Sequence, residues 1–248
     1  MEALAVIIES EIAHGSRRRF IAIVALVFIA SVIATYAMHV SMSSMTELPM
    51  PGGWMLSPVF TPMCGRTWLR AAAGFIGMWI AMMTAMMLPS FAPVLSRDRG
   101  SVRASWSTAA GYAFVWTMTG LAAFTFGAIL TAIMMRAPSI ARCVPFASGV
   151  VVLMAGALQC SAWHARMLSC CRHASHRGWR GGVRHGLHCV ACCAGLTATL
   201  FVFGVMDLRA MTLVTLAISA ERLMPSFERV SQITGVMLLL LGAMLIVR

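Results

Sequence analysis

The chain has 248 residues, of which 60% are hydrophobic and only 11% charged, with a mean hydropathy of +0.84. A soluble domain carries roughly 25% charged residues, so a soluble globular fold is excluded and the lipid bilayer is the expected solvent. The net charge of +11 comes from arginine alone. These arginines lie between apolar blocks rather than on one basic face, which argues against nucleic-acid binding and for a role in membrane topology.

In chain order, the apolar blocks predict an all-α, polytopic transmembrane helix bundle of about seven spans, each needing ~20 residues. The blocks are Phe20–Val40, Ala71–Pro89, Thr108–Met135, Val144–Trp163, Gly186–Met206, Ala210–Met224 and Val230–Val247. Ala210–Met224 is short and ends in Glu221 and Arg222. Read as re-entrant, it lowers the count to six and moves the C-terminus to the other side. Arg17–Arg19 ahead of the first block look like the start of a signal peptide. That block is longer than a usual signal core and no small-x-small cleavage site follows, so it reads as a retained span.

Residues 1–248 therefore read as a single integral membrane domain. An N-terminus on the cytoplasmic side puts most arginines inside, as the positive-inside rule requires, and the expected location is the bacterial inner membrane. On that orientation 41–68 is an external loop containing Met and His, and 163–185 is a cytoplasmic loop rich in Arg, Cys and His. Neither is long enough to build a core of its own.

Three sets of soft side chains follow the same order. Met38, His39, Met42, Met45 and Met50 cluster at the first external loop; thioethers stay unprotonated and resist oxidation, which suits copper capture outside the cytoplasm. In the second block Met78, Met82 and Met86 repeat every four residues, with Met83 and Met87 beside them. This thioether face is either flexible packing or a path for Cu(I). The densest set comes last. Cys189, Cys192 and Cys193 share one helix face with His185, four residues before Cys189, and His188 is adjacent. Cys170 or Cys171 of the preceding loop would complete a four-ligand site, one of the two sufficing. Cys160, His164, His173 and His176 lie nearby. Thiolate and imidazole donors suit a soft transition metal, with copper favoured and zinc the alternative.

Glu221 ends a nearly apolar stretch, where an acid is costly. It reads either as an interfacial anchor or as a group facing the bundle, with Arg222 pointing about 100° away from it on a helix. Asp207 and Arg209 read as structural, at the turn between the fifth and sixth blocks.

Several of these residues also carry a family resemblance. Residues 79–93, W-I-A-M-M-T-A-M-M-L-P-S-F-A-P, resemble the W-x-x-M-x-x-A-M-M-L-P-S-x-x-P signature of a bacterial family of predicted metal-binding integral membrane proteins, a domain of unknown function. Tyr112 and Trp116 fit that family's next span, and Ala155, Gly156 and Gln159 its A-G-x-Y-Q element. Cys171 and Arg172 fit the end of its C-x-x-x-C-R element. Residues 186–193 resemble its G-L-Y-C-x-G-C-C core, 204–208 its G-V-M-N-L turn, and Glu221-Arg222-Leu223 its E-K-L. Met167 stands where the family has the first loop cysteine, and His188, Ala194 and His164 replace a Tyr, a Trp and a Lys. The resemblance covers roughly residues 70–245 and implies metal binding, with no activity attached.

The reading is thus a membrane protein that binds a soft metal, copper above zinc, for transport or for delivery to a partner enzyme. Its site residues are Cys189, Cys192, Cys193, Cys171, Cys170, His185 and His188, with Met82 and Met86 on the approach and Met38, His39, Met42 and Met45 outside. Its partners are the lipid bilayer and a metalloenzyme or other membrane subunits. Two rivals remain: a non-catalytic assembly subunit whose cysteines only pack, and a thiol oxidoreductase using the C-x-x-C of Cys189 and Cys192. A hydrolytic enzyme is disfavoured, because no nucleophile with a nearby base and no phosphate-binding loop is evident.

Overall fold

The computed structural model describes residues 2–43, 48–50, 54–56, 60, 67–97, 102–172, 178–205 and 207–247, with most side chains from residue 21 onward in these stretches. The helices are α1 (Glu2–Ser43), α2 (Trp68–Arg97), α3 (Val102–Arg136), α4 (Pro138–Arg142), α5 (Val144–Gln159), α6 (Ala162–Arg172), α7 (Gly178–Phe203), α8 (Leu208–Leu223) and α9 (Phe227–Val247). One small antiparallel hairpin, β1 (Leu48–Met50) with β2 (Trp54–Leu56), sits in the loop between α1 and α2.

Among the described residues five helices are long and apolar enough to cross a membrane, or six if the bent pair α5–α6 counts as one span. The sequence suggests about seven. The difference lies in α8, which has 16 residues; at 1.5 Å per residue it is too short for the roughly 30 Å hydrocarbon layer. The stretch read as a loop at 163–185 is largely helix, taken up by α6 and the first two turns of α7.

The α5–α6 break is bent by 67°. It falls at Cys160 and Ser161. The Ser161 hydroxyl donates to the Leu158 carbonyl at 2.6 Å and accepts from the His164 amide at 3.2 Å. One side chain thus ends α5 and starts α6, satisfying backbone groups that a break in lipid would leave unpaired. The turn into α8 is built in the same way. Gly204 takes a left-handed conformation (φ 106°) after α7, and Asp207 accepts from the amides of Arg209 and Ala210. The structural role read for Asp207 is thereby accounted for. Its capping carboxylate satisfies two of the first free amides of α8.

Packing follows small residues. The α5–α9 contact passes through Gly149, Gly156, Gly235 and Gly242; a Cβ on Gly156 would come 2.8 Å from the Gly235 carbonyl, and one on Gly242 2.7 Å from the Leu153 amide. The α3–α7 contact uses Gly111 and Gly182 likewise, facing the backbone at Trp179 and Thr108. In lipid no hydrophobic force drives helices together, so close backbone approach supplies the attraction. Helix α1 packs on α2, and most of its described side chains are exposed, as those of a lipid-facing helix should be.

The core lies around α2. Phe75, Trp79, Trp116, Phe124 and Phe201 form an aromatic cluster, in which the Trp79 indole donates to the Trp116 carbonyl at 3.0 Å. Phe60, from the loop after the hairpin, packs tilted against Phe75 with centroids 5.4 Å apart, and the Trp54 indole donates to the Ala141 carbonyl of α4. Both contacts tie that loop to one end of the bundle. Met87 and Phe91 lie toward the other end of α2, about 18 and about 24 Å along the helix from Phe75.

Candidate metal centre

Helix α7 puts Cys189, Cys192 and Cys193 on its buried face, each no more than 3% exposed. Their neighbours come from other helices. The Cys171 sulfur, carried in by the bend before α6, lies 3.4 Å from that of Cys192. The Met87 thioether of α2 lies 3.9 Å from the Cys189 sulfur, and the Tyr112 hydroxyl of α3 lies 3.0 Å from it. Arg222, from the last turn of α8, completes the group. Its Nη2 donates to the sulfurs of Cys189, Cys192 and Cys193 at 3.1, 3.0 and 3.2 Å. Side chains from five helices therefore meet at one end of the bundle.

Arg222 is only 9% exposed. A guanidinium keeps its charge in proteins and is costly to bury without anionic or polarisable partners, and the three sulfurs are among its partners. Glu221, the preceding residue, points the other way: the Gln159 amide donates to it, and the His164 Nε2 lies 3.6 Å from its carboxylate. Of the two readings given by the sequence, Glu221 faces the bundle, at 3% exposure. It anchors α8 to α5 and α6, while Arg222 reaches α7.

His185 is buried one turn before Cys189, stacked on Phe91 at 5.4 Å and tilted against Tyr112 at 5.6 Å between ring centroids. Neither of its ring nitrogens meets a hydrogen-bond partner among the described residues. A buried imidazole with both nitrogens unsatisfied is unfavourable unless something else takes one of them.

The remaining sequence candidates fall in different places. Cys170 is exposed, although its neighbour Cys171 is buried. His188 is half-buried on α7. Met78, Met82 and Met86 are all buried along α2, as are Met83 and Met87. Met38 packs partly against the core, near Gly77 at the start of the α2 methionine stripe. His39 is half-buried at the end of α1. Met42 lies on α1, but its side chain falls outside the described residues, as do Met45, His173 and His176 altogether.

All seven described cysteines are free thiols. Among the described residues no group of three or more His, Cys, Asp or Glu side chains is arranged to hold a metal ion as it stands. The sulfurs of α7 are instead spread around the Arg222 nitrogen. Their 3.0–3.2 Å spacing from it exceeds a metal–thiolate bond of about 2.3 Å.

Sequence reasoning gave Arg222 and Tyr112 no functional part. The available signals were a guanidinium at the end of an apolar helix, a functional marker within a membrane, and a tyrosine whose hydroxyl must find a partner if buried.

A family model described as PpoB2: Copper chaperone matches residues 76–245. The chain belongs to this copper chaperone family. The matched stretch runs from the methionine stripe of α2 to the end of α9 and contains every side chain of the thiol cluster. It begins after α1 and the hairpin. No curated protein and no solved structure matches the chain.

Proposed function

We propose that this protein is a membrane copper chaperone that holds Cu(I) on Cys189, Cys192 and Cys193 and passes it to a partner metalloenzyme. The convergence of four buried thiols, these three and Cys171, carries the reading. Thiolates and thioethers are the donors that select Cu(I). Cys171 and Met87 flank the set and serve as alternative donors during loading and release. His185, with no partner on either ring nitrogen among the described residues, is a further donor on the same helix face.

The buried methionines of α2 are the approach. Met78, Met82 and Met86 recur at about 6 Å intervals along the helix, and Met87 ends the row 3.9 Å from Cys189. Met38 lies near the opposite end of that row. Met38, His39, Met42 and Met45 are accordingly assigned to capture or docking on that side. The thiol end carries the arginines flanking α6 and α7, which supports a cytoplasmic position for it by the positive-inside rule. The N-terminus is then cytoplasmic too.

The test is Cu(I) binding by the detergent-purified full chain under anaerobic, reducing conditions, followed by elemental analysis. One tightly held copper ion per chain is expected, with sulfur neighbours in X-ray absorption. Cys192→Ser and Cys193→Ser should each abolish stoichiometric loading. Full loading of the triple serine variant at 189, 192 and 193 would defeat the proposal.

A further inference from the structure

We infer that the Arg222 guanidinium is a built-in competitor for the ion: it holds the copper position while the pocket is empty and is exchanged for Cu(I) on loading. The inference rests on the copper reading above and adds the device that sets affinity and release.

The argument is first one of space. A single nitrogen, Nη2, lies 3.1, 3.0 and 3.2 Å from the three α7 sulfurs. An ion bound to those sulfurs at about 2.3 Å must sit inside the same triangle, within contact distance of that nitrogen. The two cannot be present together. Loading therefore requires Arg222 to withdraw.

Charge gives the second argument. The guanidinium leaves the sulfurs as the Cu(I) cation enters, and the protons of the thiols that bind it pass to water; no bond to carbon is made or broken and no electron moves. Two cations held together against the same sulfurs would repel each other in a low-dielectric site, which is costly.

Placement in the fold gives the third. Arg222 belongs to the last turn of α8, and Met224 just beyond has extended backbone (ψ 143°). The preceding residue, Glu221, is held by Gln159 and His164. The helix end is therefore fixed to α5 and α6, and withdrawal on loading is a movement of the long Arg222 side chain rather than of the helix.

The experiment is competition for Cu(I) between the detergent-purified full chain and the chromogenic chelator bicinchoninate, with stopped-flow release into excess chelator. Arg222→Gln should bind Cu(I) about tenfold more tightly or better, the loss of one charge-assisted competitor, and should release it correspondingly more slowly. Arg222→Lys, which keeps a positive charge on a shorter and more strongly hydrated side chain, should shift both quantities in the same direction by less. If both variants, folded by near-ultraviolet circular dichroism, bind Cu(I) no more tightly than the parent, Arg222 is a counter-ion or structural group and the inference is wrong. Failure of the parent chain to bind copper, or full binding by the triple serine variant, would strike the copper reading instead.

Discussion

At the scale of single residues, adjacent positions in the chain have opposite fates. Cys170 is exposed while Cys171 touches Cys192; Glu221 serves α5 and α6 while Arg222 serves α7. Helical geometry causes both, since neighbours diverge by about 100°. Cys170→Ser should therefore leave Cu(I) affinity within about twofold, and Cys171→Ser should weaken it by at least about tenfold, both measured by chelator competition. Met87→Leu separates packing from ligation. The swap conserves volume and costs under about 1.5 kcal/mol of stability, so a fall in Cu(I) affinity without a large fall in thermal stability is expected if the thioether is a donor. Trp79→Phe should cost about 1 kcal/mol through the lost bond to the Trp116 carbonyl, visible as a lower unfolding midpoint in detergent.

Among the elements, close helix contacts decide where the site's walls stand. Gly182 on α7 lets that helix approach Thr108 of α3, just before Tyr112. Gly182→Ala would push the helices apart at the site, and a loss of about 1–3 kcal/mol of stability should come with weakened copper binding. Gly242→Ala disturbs the α5–α9 contact instead. It should cost similar stability while leaving the affinity of the folded fraction unchanged. Equal losses of affinity in both variants would mean that packing around the thiols is not local. The bend between α5 and α6 belongs to this scale too, because it is what brings Cys171 to α7.

For the whole molecule, the proposed orientation can be tested through two thiols. With the α6–α7 end cytoplasmic, as proposed from the positive-inside rule, Cys143 at the α4–α5 turn would lie on the far side. Both Cys143 and Cys170 are exposed. In sealed right-side-out vesicles, a membrane-impermeant maleimide should label Cys143 readily and Cys170 only after permeabilisation; the reverse pattern would invert the proposed direction of copper handling.

The membrane class, the helical architecture, the methionine stripe and the shared face of Cys189, Cys192 and Cys193 were legible in the amino-acid order. Hydropathy, fourfold spacing and helical period are local properties, and each acts within a few turns. The span count was less so, because an apolar run such as α8 shows its composition but not whether its length fits the bilayer in place. Which of Cys170 and Cys171 turns inward, and that Arg222 stands among the sulfurs with Tyr112 and Met87 beside them, depended on packing between helices distant in the chain. No periodicity encodes such contacts; close approach of the helix backbones and the bend at Ser161 set them.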